Sequence, residues 1–285
     1  MTVEAYAKVN LTLAVYGKRP DGYHALRSIV QPIALADTLE IEPTDDGLVS
    51  SDTGYGENDL IVRAARALVS RSRAAGTSRL PCTPGCRVRV TKRIPVGGGL
   101  GGCSADAAAA LNALNALWRL GKSPEELADI GAAVGSDVPA LVLAQHYRRP
   151  VLMEGRGEKV SVFGRLRFPL RGLPLVLANP GVHSSTPEVF AHCTPRVSDA
   201  TGAAFSPREG GDVLRLFNDL QEAAIALHLE IDATLEALRS LGARETMMSG
   251  SGATVFGFVE TDSEAERLVK ALQARGFSAW CSRML

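Results

Sequence analysis

From Ala5 to Val15 the chain alternates without a break. Ala5, Ala7, Val9, Leu11, Leu13 and Val15 fall on one face, and Tyr6, Lys8, Asn10 and Thr12 on the other. A period of two predicts a β-strand with one buried face. Lys18–Gly22 (KRPDG) reads as a turn, Ile29–Ala36 as a second apolar stretch, and Leu39–Glu42 with the Asp45-Asp46-Gly47 turn as further antiparallel strands. Asn58-Asp59 precedes an amphipathic run, Leu60–Val69, as a helix cap would. Residues Gly85–Arg93 alternate again. A helix is predicted over Ser104–Leu120, with Leu111, Leu114 and Trp118 on one side and Gly121 as its stop. Ser123-Pro124-Glu125-Glu126 is a capping box that opens another helix, ending near Gly135.

The second half changes rhythm. Leu173–Asn179 reads as a strand, Thr186-Pro187 opens a short helix carrying Phe190, and Ser198–Gly211 is a polar loop. Helical periodicity fills Val213–Leu241. A strand over Ala253–Val259, a helix capped by Ser263 with Glu266, and a strand from Phe277 complete the pattern. Antiparallel strands with segregated helices in each half predict two α+β domains that divide near residue 160.

Composition narrows the class. Hydrophobic residues at 46% and charged residues at 22% describe a globular chain, and 31 basic residues balance 31 acidic ones. That balance argues against a nucleic-acid partner. Five cysteines, with Cys82 and Cys86 unmatched by a second ligand pair, read as free thiols. The start MTVEAYAKV lacks an apolar signal core and no apolar run reaches membrane-spanning length, so the expectation is a cytoplasmic protein without a membrane partner.

The chemistry centres on Pro95–Asp106, PVGGGLGGCSAD, where five glycines occupy six positions before a helix. Such a loop lets backbone N–H groups and a helix N-terminus approach an anion. The Lys-Ser/Thr of a Walker loop is absent. The match of Gly97, Gly99 and Gly102 to the dinucleotide fingerprint is weak, because no acidic residue ends a strand twenty positions later. Tight packing is the bland alternative. Phosphate binding is the favoured reading, with Ser104 as helix N-cap and candidate magnesium ligand. Lys8 and Asn10 could simply face water, and Asp137 in Gly135-Ser136-Asp137-Val138-Pro139 could simply cap a helix. Ser249-Gly250-Ser251-Gly252-Ala253 is a second small-residue loop and so a second candidate for close approach to phosphate.

Taken together, these segments resemble the GHMP kinase family over nearly the whole chain. Its phosphate loop is similar to Pro95–Ser104, its lysine segment to Ala7–Leu11, and its C-terminal glycine motif to Ser249–Ala253. AKVNLTLAV, RPDGYH, Asn58-Asp59-Leu60, Gly135–Pro139, Gly155-Arg156-Gly157-Glu158 and Phe217–Leu220 resemble, more narrowly, members that phosphorylate a cytidine diphosphate-linked alcohol on the non-mevalonate route to isoprenoid precursors. The resemblance implies an α+β fold of two domains. Residues 1–160 would form a ribosomal-S5-like, ATP- and cytidyl-binding domain, and residues 161–285 a ferredoxin-like substrate domain. It implies ATP and Mg2+ as cofactors and a small-molecule partner, and leaves the oligomeric state open.

The implied roles follow position by position. Asp137 and Lys8 are catalytic. Asn58 and Lys92 flank adenine, and Pro95, Gly97, Gly98, Gly99, Gly101, Gly102 and Ser104 surround the ATP phosphates. Asn10, Tyr23, His24, Thr186, Phe190, Gly250 and Gly252 face the substrate. Departures from the family pattern are the bulky stretch AQHYRRPVLME after Pro139 and Cys103 where glycine is common. A kinase for another small alcohol and a non-catalytic nucleotide-binding protein are the alternatives. RPDGYH and Phe190 speak against the first; Lys8 together with Asp137 speaks against the second.

Overall fold

The computed structural model describes residues 1–76, 84–164, 171–195 and 215–285. Its chain folds around two sheets. In the first, β1 (Thr2–Lys18) runs antiparallel to the long β2 (His24–Thr44). One end of β2 pairs with β4 (Gly85–Thr91), beyond which lies the short β3 (Val49–Ser51). The other end pairs with β5 (Val151–Gly155), which hairpins into β6 (Lys159–Val162). The second sheet has the order β11–β7–β10–β9, all antiparallel. Its strands are β7 (Pro174–Asn179), β9 (Arg244–Met248), β10 (Val255–Phe258) and β11 (Ser278–Arg283).

The apolar face of β1 is buried as its alternation predicts, but the polar face is buried too. Lys8 is 3% exposed, Asn10 1% and Thr12 fully enclosed. These residues therefore face an interior, not water. The stretches predicted as separate strands around residues 29–42 form one strand, β2. The register between β1 and β2 shifts on both sides of Lys8, between Tyr6 and Lys8 and between Asn10 and Thr12. Lys8 lies opposite Pro32, which has no N–H to donate, and its own N–H reaches Leu100 O at 3.1 Å. A bulge of this kind releases a backbone group from the ladder and re-aims the side chain.

Four helices serve the first sheet: α1 (Leu60–Ala74), α2 (Gly102–Leu117), α3 (Pro124–Gly131) and α4 (Val138–Tyr147). Asp59 caps α1 by accepting from Ile61 N, and the Ser123–Glu126 capping box opens α3, both as expected. In α2 the run Ala105–Ala110 is buried, and side chains this small let the helix lie close on β1. Helix α4 follows Asp137, where the cap alternative for that residue puts a helix, but its extent was not read. The bulky stretch after Pro139 is its last turns followed by β5.

The helical patterns of Val213–Leu241 resolve into two helices preceded by a short strand. Residues 213 and 214, like the polar loop at 198–211 and Cys82, lie outside the described residues. From there the chain forms β8 (Phe217–Asn218), α6 (Gln221–Leu227) and α7 (Leu229–Ser240), with α5 (Thr186–His192) earlier. Strand β8 joins the first sheet, parallel to β1. The last helix, α8 (Asp262–Ala274), is capped by Thr261, whose hydroxyl accepts from Glu264 N, in place of the expected Ser263. No helix among the described residues is long and apolar enough to cross a membrane.

Candidate active site

A cavity of about 790 Å³ opens between the two sheets, walled by the glycine loop, the polar face of β1, the start of β2, the approach to α4, α5 and the loop after β9. Of the residues singled out in the sequence, Lys8, Asn10, Tyr23, His24, Lys92, Pro95, Gly97, Gly98, Gly99, Gly101, Gly102, Ser104, Asp137, Thr186, Phe190 and Gly250 line it. Asn58 does not. It ends an exposed turn, Gly56–Asn58. Gly252 is also absent from the wall, one residue behind Ser251.

At the centre lies a charge pair. Lys8 Nζ donates to Asn10 Oδ1 at 2.6 Å and stands 3.7 Å from Asp137 Oδ2. Asn10 in turn donates to Ser28 Oγ at 2.8 Å, and Ser28 donates to Thr12 O at 2.6 Å, so the lysine is held through a buried relay. Burial pulls the Lys8 pKa below the ordinary lysine value, against the opposing pull of Asp137. Asp137 occupies the N-cap position of α4, yet its side chain makes no cap bond. Its carboxylate is thus available to the cavity beside the lysine.

The glycine loop is shaped for an anion. Gly97, Gly99 and Gly101 all adopt positive φ (69°, 74° and 71°), the left-handed backbone that anion-binding nests use. Helix α2 starts at Gly102 behind Gly101, so Ser104 is in its first turn and is not the N-cap that the sequence suggested. The first N–H groups of α2 are unpaired within the helix and face the loop with the positive dipole end. A Cβ at Gly99 would overlap Ser249 O, which shows how tightly the two glycine loops interlock. Ser249 Oγ donates to Gly99 O at 3.0 Å, and Thr254 N to Gly98 O at 3.2 Å. Asn218 of β8 fastens the second loop from behind, donating to Met248 O at 2.9 Å and Gly250 O at 2.8 Å.

Below α2, Lys92 is bound by two carboxylates, Asp37 and Asp106 (2.8 Å). Asp37 also accepts from the N–H groups of Arg93 and Ile94. Burial, outweighing the Lys92 charge, pushes the Asp106 carboxyl up to about 7. Sequence reading passed over Asp37 and Asp106. A lone aspartate in the apolar β2 segment ALADTLEI was the available signal.

At the far end His24 and Phe190 stack, with ring centroids 5.4 Å apart and planes 21° from parallel. Burial, with Lys18 adding to it, depresses the His24 pKa. A neutral imidazole offers one donor and one acceptor. Tyr23 is 53% exposed, with the Arg156 guanidinium 5.3 Å from its ring centre. Thr186 Oγ1 and Ser251 Oγ share a hydrogen bond of 2.7 Å. A nucleotide cradle, an acid–base pair and an aromatic end share one cavity.

Comparison with known proteins meets this geometry. The GHMP kinases N terminal domain matches residues 59–145, and the GHMP kinases C terminal region matches residues 203–278. A 4-diphosphocytidyl-2-C-methyl-D-erythritol kinase of Symbiobacterium thermophilum is 38% identical over 298 residues, covering 100% of both chains. The chain belongs to the GHMP kinase family. A protein of the same name from Pelotomaculum thermopropionicum is 39% identical over 96% of this chain and 94% of its own. The crystal structure of a 4-(cytidine 5'-diphospho)-2C-methyl-D-erythritol kinase superposes with a TM-score of 0.79 at 34% identity, covering 100% of this chain and 99% of that one.

As a GHMP kinase, the protein has the family's two-domain α+β fold and is a small-molecule kinase that binds a nucleotide. Among the described residues no group of three or more His, Cys, Asp or Glu could hold a metal. Mg2+ in nucleotide sites needs only one or two protein oxygens beside those of phosphate. The Ser104 hydroxyl and the Asp137 carboxylate, both on the cavity wall, fit that donor set.

Proposed function

We propose that this kinase phosphorylates the 2-hydroxyl of 4-diphosphocytidyl-2-C-methyl-D-erythritol with magnesium-ATP, a step of non-mevalonate isoprenoid precursor synthesis. The observation that carries the reading is the Lys8–Asp137 pair sharing one cavity with a glycine cradle and a stacked His–Phe pair. The relatives and the solved structure bearing that substrate in their names, matched over almost their full length, support it.

Bound magnesium-ATP would supply the transferable phosphoryl group and part of its charge neutralisation. The remaining work falls to the chain. The N–H groups of the loop Gly97–Gly102, with Pro95 at its entrance, hold the phosphates. Ser104 would offer its hydroxyl oxygen to the metal. Asp137 orients the acceptor hydroxyl and takes its proton, late in a loose transition state that asks little basicity of it. Lys8, fixed by Asn10, stabilises negative charge developing on the attacking oxygen. Lys92 flanks the adenine side. Tyr23, His24 and Phe190 take the cytosine, His24 through its donor and acceptor edge, with Thr186 and Gly250 beside the substrate. We assign residues 1–160 to nucleotide and cytidyl binding and 161–285 to the substrate domain.

The test is coupled ADP release with magnesium-ATP against the cytidyl substrate, mevalonate, homoserine and galactose. Turnover of the cytidyl substrate alone is expected. Turnover of another acceptor in its place would overturn the assignment.

A further inference from the structure

The ladder between β2 and β4 ends at the pair Thr38–Thr91. One residue further along β2 stands Asp37, fully buried, where the chain leaves β4 toward the glycine loop. Its side chain takes over where the ladder stops. Oδ1 accepts from the backbone N–H groups of Arg93 and of Ile94 (2.8 Å), and Oδ2 accepts from Lys92 Nζ. The same ammonium donates at 2.8 Å to Asp106 Oδ2, in the helix that leaves the loop. Lys92 and Ile94 also pack on the first residue of that helix, since a Cβ at Gly102 would meet Ile94 Cγ2 at 3.1 Å and Lys92 Nζ at 3.5 Å. One lysine and two carboxylates thus join the segment before the glycine loop to the helix after it.

Burial divides the three groups. The side chains of Asp37 and Asp106 are 0% and 4% exposed and neither lines the cavity, whereas that of Lys92 is 30% exposed and does. Burying two carboxylates for one ammonium is a poor source of stability, because desolvation offsets the attraction, and Asp106 Oδ1 is left without a partner. What the arrangement secures is the place of the ammonium. A lysine head on its long, flexible stem samples many positions when free. Held in its binding position before a ligand arrives, it is spared the ordering cost on association.

We infer that Asp37 and Asp106 are positioning residues for the nucleotide, which from behind the cavity wall hold Lys92 and the entry to the glycine loop in the binding arrangement. This rests on the nucleotide contact proposed above for Lys92. Asp37 is the anchor, since it grips the backbone and the ammonium together, and Asp106 fixes the ammonium from the side of α2.

Calorimetric titration with magnesium-ADP, which needs no acceptor substrate, tests this on the unaltered protein, Asp37→Asn, Lys92→Met and the double variant. Asp37→Asn keeps an oxygen for the N–H groups of Arg93 and Ile94 but withdraws the charge from Lys92. It should weaken magnesium-ADP about tenfold. In the Lys92→Met background the same change should cost little more, because residues that act through one another are not additive. Equal losses in both backgrounds would show Asp37 serving the fold alone and would overturn the inference while the Lys92 contact stands, as would an unchanged affinity in Asp37→Asn. If Lys92→Met binds magnesium-ADP as the unaltered protein does, the proposed contact of Lys92 falls and the inference with it. Asp106→Ala covers the case of an Asp37 variant that does not fold, since alanines flank the position in α2 and Asp37 is left intact. It should weaken magnesium-ADP severalfold, and an affinity equal to that of the unaltered protein would overturn the inference whether or not Asp37→Asn folds.

Discussion

Lys8 and Lys92 are both lysines on the cavity wall, but their surroundings divide their tasks. Lys8 is enclosed, held by Asn10 and faces one carboxylate at 3.7 Å. Lys92 is half-exposed and held by two. Lys8→Met should therefore depress turnover far more than ATP binding, and Lys92→Met should mainly raise the ATP requirement. The opposite pattern in steady-state kinetics would place the essential charge on the wrong strand. Because burial lowers the Lys8 pKa, the protonated form is lost as pH rises through a value below about 10.4. The alkaline limb of kcat should appear below the ordinary lysine range. Asp137 makes no cap bond, so Asp137→Asn should cut turnover by on the order of a hundredfold or more while α4 and ATP binding persist. Near-normal turnover would reduce it to a helix-terminal residue. Phe190 is stacked on His24 at the far end. Phe190→Ala should weaken the cytidyl substrate about tenfold, from a stacking contribution of roughly 1–3 kcal/mol, with ATP affinity unchanged.

Elements explain which parts of this site could be read from the sequence. The alternation of β1, the cap of α1 and the glycine loop are local patterns, and each appears where its pattern lies. Burial of the polar face of β1 was not legible, because it depends on the two glycine loops, which bring Gly101 and Gly250 against Lys8 from far along the chain. Pro32 in the middle of β2 was the one local hint of the bulge that frees the Lys8 N–H. The extent of α4 beyond its Asp137 cap was hidden by a uniformly apolar start, which gives no amphipathic contrast. The Asp37–Lys92–Asp106 cluster joins β2, the end of β4 and α2, and no single segment announces it. It carries its own prediction. Asp106 binds its proton more tightly folded than unfolded, so the folded protein holds more protons between the ordinary carboxylate range and pH 7. Stability from this group is full below that range and is lost as pH rises through about 7, by at most about 1.4 kcal/mol per pH unit. Asp106→Asn removes the term. In thermal unfolding the variant should gain on the unaltered protein between pH 5 and pH 8, and a difference in Tm that does not change with pH would contradict this.

At the scale of the molecule, the two sheets share one interior, beside a second cluster drawn from the second half with Leu13 and Val15 of β1. Leu175, Leu177, Met247, Phe256 and Met284, all from the second half, belong to the same buried cluster as Val9, Leu11, Ile33 and Leu111 from the first. The C-terminal end is threaded back as well. Met284 bridges to Ile33, Leu285 N donates to Pro32 O at 3.1 Å, and Gln31 Nε2 donates to Leu285 O at 3.1 Å. Strand β8 completes the first sheet beside the strand that carries Lys8 and Asn10. Removing the second half would expose the side chains that this cluster encloses, at a cost of about 25 cal/mol per Å² of apolar surface, and would open the edge of β1. Two domains joined by a small polar interface would melt independently. Here the shared cluster makes each half a condition for the other. The full chain should unfold in one cooperative transition, with far-ultraviolet circular dichroism and the fluorescence of Trp118 and Trp280, one in each half, changing together. A chain ending at residue 164 should fail to give a cooperative transition at all. Two separated transitions in the full chain, or a cooperatively folded fragment, would show that the interface closes over halves already stable, and that the cavity between them forms by docking after each has folded.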